Sequence, residues 1–158
     1  MTPEQVKANG WLLFETIAGS RAYGLASDKS DTDIRGVFML PLEYLLGMDY
    51  IPQVSNETND IVYYELKRFL ELLNRNNPTM MELLAMPADC ILYRHVIMDK
   101  IKPAQFLSKL CEKSFAQYAF TQIKKPTGWR KKSSILLQRR KNLCWIFVMC
   151  MKAGRRFH

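Results

Sequence analysis

An apolar run from Leu12 to Ala18, carrying one charge at Glu15, stops at Gly19-Ser20. After a short gap come Asp31-Thr32-Asp33 and a second apolar run, Ile34 to Leu40. Short runs of this kind, rich in β-branched and aromatic residues, read as strands. Glycine lets the backbone turn or approach a neighbour where a Cβ would collide. The gap is long enough for a turn or short helix that folds the aspartates back toward the Gly-Ser amides. The chain is thereby constrained to a layout in which strands set a Gly-Ser bend near a pair of carboxylates.

Chemistry follows from that layout. The backbone amides and the Ser20 hydroxyl can donate to phosphate oxygens, and a helix opening at Gly19 would add its positive end. In a strand, residues i and i+2 lie on one face, roughly 6.6 Å apart along the chain, so Asp31 and Asp33 suit a shared cation. Mg²⁺ (or Mn²⁺) takes hard oxygen ligands, few carboxylates plus substrate phosphates. Such ions activate an attacking oxygen and steady a leaving pyrophosphate. The expectation is a nucleotidyl transfer from a nucleoside triphosphate. Gly19 and Ser20 grip phosphates. Arg21 holds the triphosphate or pairs with a surface carboxylate. Arg35 neutralises a phosphate or orients an aspartate.

A third carboxylate is expected from a neighbouring strand. Asp60 heads Ile61-Val62-Tyr63-Tyr64, which has strand composition, and is the first choice. Glu65 is the alternative; it opens a run to Leu73 with helical periodicity and is expected in the first helical turn, where a negative charge suits the dipole. The three acidic side chains are expected to converge around the cation. Against this stands the plain reading that Asp-x-Asp is common in turns, and only the combination of elements separates the two.

Those same residues carry a resemblance. Residues 17–40 resemble the nucleotidyltransferase motif of the DNA polymerase β superfamily. More narrowly, Gly-Ser-Arg-Ala-Tyr-Gly (19–24), Ser-Asp-x-Asp-x-Arg-Gly (30–36), an Asp-headed strand at Asp60, Tyr-Glu-Leu-Lys-Arg-Phe (64–69), Asn77-Pro78 and Glu82-Leu83-Leu84 resemble a family of predicted bacterial and phage nucleotidyltransferases. Phe115 to Ala119 and Gln122 to Lys125 look like its next helix, so the likeness covers roughly residues 10–128. It implies a metal-dependent nucleotidyltransferase fold with Asp31, Asp33 and Asp60 as ligands, and it implies no acceptor.

The expected architecture is α/β (α+β): a nucleotidyltransferase core with a mixed sheet flanked by helices, and a helical C-terminal region. Residues 1–90 are read as the catalytic core, 91–128 as the helical region and 129–158 as a basic tail. Strands are expected near 12–18, 34–40 and 60–64, and helices near 3–10, 42–46, 65–75, 92–100 and 103–125. A further helix is expected to be capped by Thr79, with Glu82 three residues on as a capping box. His95 is read as structural, and Tyr23 as stacking on a base or packing under its loop.

Charge is split along the chain. Residues 1–100 hold 9 Lys and Arg against 14 Asp and Glu, while residues 101–158 hold 14 against 1. The basic end reads as a nucleic-acid surface, with Trp129, Trp145 and Phe147 available to stack on bases, or as a solvated helix. A third reading is a chain truncated or altered in frame. Leu143 to Met151 is a continuous apolar run with no polar side. Related proteins tend to read Leu-Asp-Phe-Cys-Tyr-Val near here, and codons for that peptide read one base later give residues 145–149.

No stretch reaches the ~20 apolar residues that span a bilayer. The four cysteines (Cys90, Cys111, Cys144, Cys150) lack paired metal-ligand spacing and are expected as reduced thiols, with no disulfides, in a cytoplasmic protein. The acceptor hydroxyl is unidentified, with RNA among the candidates. The alternative function is a catalytically inactive nucleotide- or RNA-binding module. A weaker one is a protein-modifying nucleotidyltransferase acting on a toxin partner.

Overall fold

Leu13, Phe14 and Thr16 are buried in the strand they predict, β1 (Leu12–Ala18), which lies next to one edge of a five-stranded sheet. The computed structural model of the chain describes residues 1–22 and 31–124. The basic tail 129–158, Tyr23, Cys144 and Cys150 lie outside them. The remaining strands are β2 (Asp33–Phe38), β3 (Gln53–Ser55), β4 (Ile61–Glu65) and β5 (Ile91–Arg94), in the order β3-β4-β2-β1-β5. Only β2 and β4 run parallel; the other neighbours are antiparallel. The helices are α1 (Pro3–Ala8), α2 (Gly19–Ala22), α3 (Leu42–Leu46), α4 (Leu66–Asn74), α5 (Pro78–Leu84), α6 (Pro103–Phe106) and α7 (Leu110–Lys124). The expected mixed sheet with flanking helices is what forms.

The described chain divides into two units. The first comprises Met1–Glu71 and Met86–Ile101 and contains the whole sheet. On one face of its sheet, Val6 of α1, Phe38, Val54 and Tyr63 form a closed apolar cluster with Leu40. Burial of each such side chain contributes about 1.5–3 kcal/mol. α1 is held at its start by a capping box between Thr2 and Gln5.

The second unit comprises Leu72–Ala85 and the chain from Lys102. The turn between α4 and α5 holds Asn76, fully buried and at φ 52°. The Asn76 side-chain oxygen accepts from the Ser108 amide at 3.1 Å, and its carbonyl accepts from the Ser114 hydroxyl at 2.8 Å. A short polar side chain tolerates this left-handed backbone best after glycine. α5 packs against α7.

Four local expectations are corrected. Residues 92–100 are not a helix: β5 pairs with the otherwise open edge of β1, and a 3₁₀ turn follows at Val96–Lys100. Ladder bonds to β1 outweigh the helical pattern, and the Arg94 guanidinium settles over Phe14 at 5.8 Å while bonding Asp99 at 2.8 Å. The predicted helix 103–125 is broken between α6 and α7, where Leu107 turns extended at ψ 122° and the next amide is spent on Asn76. Asn77, not Thr79, caps α5, accepting from the amides of Thr79 and Met80 with Pro78 at the first helical position. Glu82 therefore has no capping role, and one oxygen of its buried carboxylate has no hydrogen-bond partner. β3 is too short to leave a pattern in the sequence.

Candidate active site at the acidic strand ends

Strand pairing brings the acidic residues together. Ala18, the last residue of β1, pairs with Asp33, the first of β2. On the other side of β2, Ile34 lies opposite Ile61 of β4, so Asp33 and Asp60 head two adjacent parallel strands. The Ile34 amide donates to the Asp60 carbonyl at 2.7 Å, which carries the ladder up to that residue. Neighbouring strands lie about 4.8 Å apart. Side chains alternate between faces, so residues 33, 35, 60 and 62 share one face and residues 34, 36, 61, 63 and 65 the other.

Gly19 follows β1 directly and takes φ +67°. A Cβ there would collide with the Asp33 carboxylate. The glycine therefore does two things: it turns the chain into α2, and it lets the carboxylate of the neighbouring strand lie against bare backbone. α2 is one turn long, so Ser20 and the local amides are what it offers a ligand. Ser20 is half-buried and Arg21 exposed.

Asp33 bonds a neighbouring guanidinium. Arg35, two residues on and on the same face, donates to Asp33 Oδ1 at 3.0 Å; the two side chains are 24% and 35% exposed. The same guanidinium donates to the carbonyls of Ile34, Asn59 and Asp60 at 3.0, 3.3 and 2.9 Å. The Asn59–Asp60 turn is itself stapled. Asn56 Oδ1 accepts from the Ile61 amide, the Asn56 amide donates to the Ile61 carbonyl, and Asn59 sits at φ 61°. Asp31 is exposed just ahead of β2, and Asp60 is half-buried.

The expected meeting of three carboxylates is only partly realised. Among the described residues, no three Asp, Glu, His or Cys side chains stand close enough to hold a metal on their own. Asp33 and Asp60 share a face and an end of the sheet. Glu65 does not: it ends β4, opposite Phe38, on the other face. Glu65 also lies in the strand rather than in the first helical turn. Its buried carboxylate accepts from the amides of Lys67 at 2.7 Å and Arg68 at 3.3 Å, capping α4, and from the Tyr50 hydroxyl at 3.0 Å. Burial first, then that bond, pushes the Tyr50 hydroxyl up to about 12. His95 is structural, as expected, its Nδ1 accepting from the Ile97 amide.

Sequence reasoning missed the middle of the sheet. Glu15, Gly36 and Tyr63 stand in one row across β1, β2 and β4. A Cβ on Gly36 would come within 2.7 Å of the Tyr63 ring and collide with the Phe14 carbonyl. The bare glycine lets the tyrosine lie across β2 and donate to Glu15. Lys7 of α1 reaches the same carboxylate oxygen at 2.6 Å. Burial, with Glu15 as acceptor, raises the Tyr63 hydroxyl far above the ordinary phenol range. The signal was present in the lone charge within an apolar run. A cavity of about 460 Å³ lined by Met1, Gln5, Trp11 and Tyr44 opens by the start of β1, the end away from Gly19.

Comparison with known proteins adds a family. The profile of the RNA repair pathway DNA polymerase beta family matches residues 3–142. The chain is also similar to the "Uncharacterized protein YcgL" of Bacillus subtilis (strain 168), at 28% identity over 108 residues, 66% of this chain and 39% of that one. The chain thus spans well under half the length of that relative. No solved structure matches.

Proposed function

The chain belongs to the RNA repair pathway DNA polymerase beta family, and from that membership we propose that it is a metal-dependent nucleotidyltransferase. It moves a nucleoside monophosphate from a nucleoside triphosphate to an acceptor hydroxyl. The observation that carries this reading is the placement of Asp33 and Asp60 at the heads of adjacent parallel strands, on one face, with the Gly19 turn against Asp33. The family's description favours a hydroxyl of RNA as the acceptor.

Hard carboxylate oxygens at one sheet end fit Mg²⁺ or Mn²⁺. Mg²⁺ uses one or two carboxylates and completes its shell with water and substrate phosphates, so a protein pair suffices where no three side chains cluster. Asp33 and Asp60, with Asp31 beside them, would hold the ion. When bound it would polarise the α-phosphate and neutralise charge on pyrophosphate. The amides around Gly19 and the Ser20 hydroxyl orient the β- and γ-phosphates, and Arg21 adds positive charge. The acceptor oxygen attacks the α-phosphorus in line, the bond to the bridging oxygen breaks, and pyrophosphate leaves. The acceptor's proton passes to the Asp60 carboxylate.

The test is incubation with labelled nucleoside triphosphates, Mg²⁺ or Mn²⁺ and an RNA acceptor, reading pyrophosphate release and labelled RNA. Asp31→Asn with Asp33→Asn should abolish both while circular dichroism is unchanged. Full activity in that double variant would refute the assignment. Nucleotide binding without any pyrophosphate from the parent chain would mark a binding module instead.

A further inference from the structure

Arg35 was expected either to neutralise a phosphate or to orient an aspartate, and its guanidinium is committed within the fold. One nitrogen bonds the Asp33 carboxylate, and the other bonds the carbonyls of Ile34, Asn59 and Asp60. Those acceptors belong to β2 and to the turn that leads into β4. A planar fork with fixed donors can serve such divergent acceptors at once; an ammonium on a flexible stem cannot. Three of those four acceptors are backbone carbonyls, independent of the carboxylate itself.

We propose that Arg35 is a positioning residue: it locks the Asn59–Asp60 turn against the head of β2 and thereby sets Asp60 beside Asp33 before any nucleotide arrives. It is not a phosphate ligand. This deepens the nucleotidyltransferase reading, because the pair it positions is the pair that reading assigns to the metal. Two roles for Arg35 give opposite signs. Were it a phosphate ligand or a mere neighbouring charge, its removal would leave affinity for a bare divalent cation unchanged or raise it, since a positive charge beside Asp33 repels the ion. As a positioning residue, its removal lowers that affinity, because the two carboxylates lose their spacing. Loss of a supporting group around metal ligands costs roughly 10-fold or more in affinity.

The experiment uses the intact chain and Mn²⁺ alone, with binding followed by electron paramagnetic resonance or calorimetry. Arg35→Lys and Arg35→Gln should both weaken Mn²⁺ binding roughly 10-fold or more, with thermal unfolding still cooperative. Hydrogen exchange at the Ile34 and Ile61 amides should quicken in both variants, with no change at the Glu65-capped amides of Lys67 and Arg68. Unchanged or tighter Mn²⁺ binding in Arg35→Gln, or full rescue by Arg35→Lys, would overturn the proposal. Should the parent chain bind no Mn²⁺ and release no pyrophosphate from a nucleoside triphosphate, the nucleotidyltransferase reading fails. Exchange at Ile34 and Ile61 then decides Arg35 on its own, and unaltered rates there count against it.

Discussion

Glu15 and Asp33 are both carboxylates on the central strands, each bonded to a basic side chain, and they sit in opposite settings. Glu15 lies mid-strand, 6% exposed, and its oxygen takes both the Tyr63 hydroxyl and Lys7. Asp33 lies at a strand end, its side chain about a third exposed, and one basic residue bonds one of its oxygens. A buried carboxylate must be satisfied internally or it destabilises the fold. A carboxylate at the rim keeps lone pairs for a ligand. The difference shows that sheet position, not the carboxylate itself, separates an acid spent inside the fold from one at the rim.

The sharpest way to break this comparison is to remove each acid in turn. Glu15→Ala strands the Tyr63 hydroxyl in the core and should cost about 2–3 kcal/mol, at the low end for a buried pair because Lys7 reaches water. Asp33→Asn should move stability by under about 0.5 kcal/mol while Mn²⁺ binding is lost. Urea unfolding of both variants checks the contrast, and equal costs would erase it.

A second, smaller contrast pairs the two glycines. Gly36→Ala drives a methyl into the Phe14 carbonyl and the Tyr63 ring, and should destabilise by about 1–3 kcal/mol. Gly19→Ala meets the Asp33 carboxylate, which can swing toward solvent. Its stability cost should be about 1 kcal/mol, from the left-handed backbone, with the larger effect on nucleotide and metal binding. Melting temperatures and Mn²⁺ titrations of the two variants separate these outcomes.

The smallest effect is alkaline. Tyr50 and Tyr63 keep their protons in the fold at pH values where the unfolded chain has lost them. Below the ordinary phenol value of about 10 their contribution is complete. Above it the native state binds more protons than the unfolded one, so stability falls as pH rises. For Tyr50 that window closes near 12, and for Tyr63 it extends higher. Urea midpoints between about pH 9 and pH 11 should drop for the parent chain and drop less for Tyr50→Phe or Tyr63→Phe.

Much of the acidic end was legible because its signals are local. An apolar run, a glycine and a paired Asp lie within twenty-odd residues, and β1, α3 and the start of β4 fall where composition put them. What failed was decided elsewhere in the chain. Residues 92–94 form a strand because β1 offers an open edge, and Glu65 turns from ligand to cap because β4 carries it to the far end of the sheet. Gly36 looked like part of a motif, but the partner that requires its bareness is Tyr63, distant in sequence. Periodicity sees a residue's own element and not the side chain lying across it.

The parallel pairing of β2 with β4 has a consequence for biosynthesis. Parallel neighbours need a long crossover, here the stretch holding α3 and β3, and contacts of such separation form slowly. During translation, β1 and β2 can meet as an antiparallel pair while the next segments are still being made. A nascent chain at that stage displays Asp33 without its neighbour, and the two aspartates head adjacent strands only once residue 60 has emerged and docked.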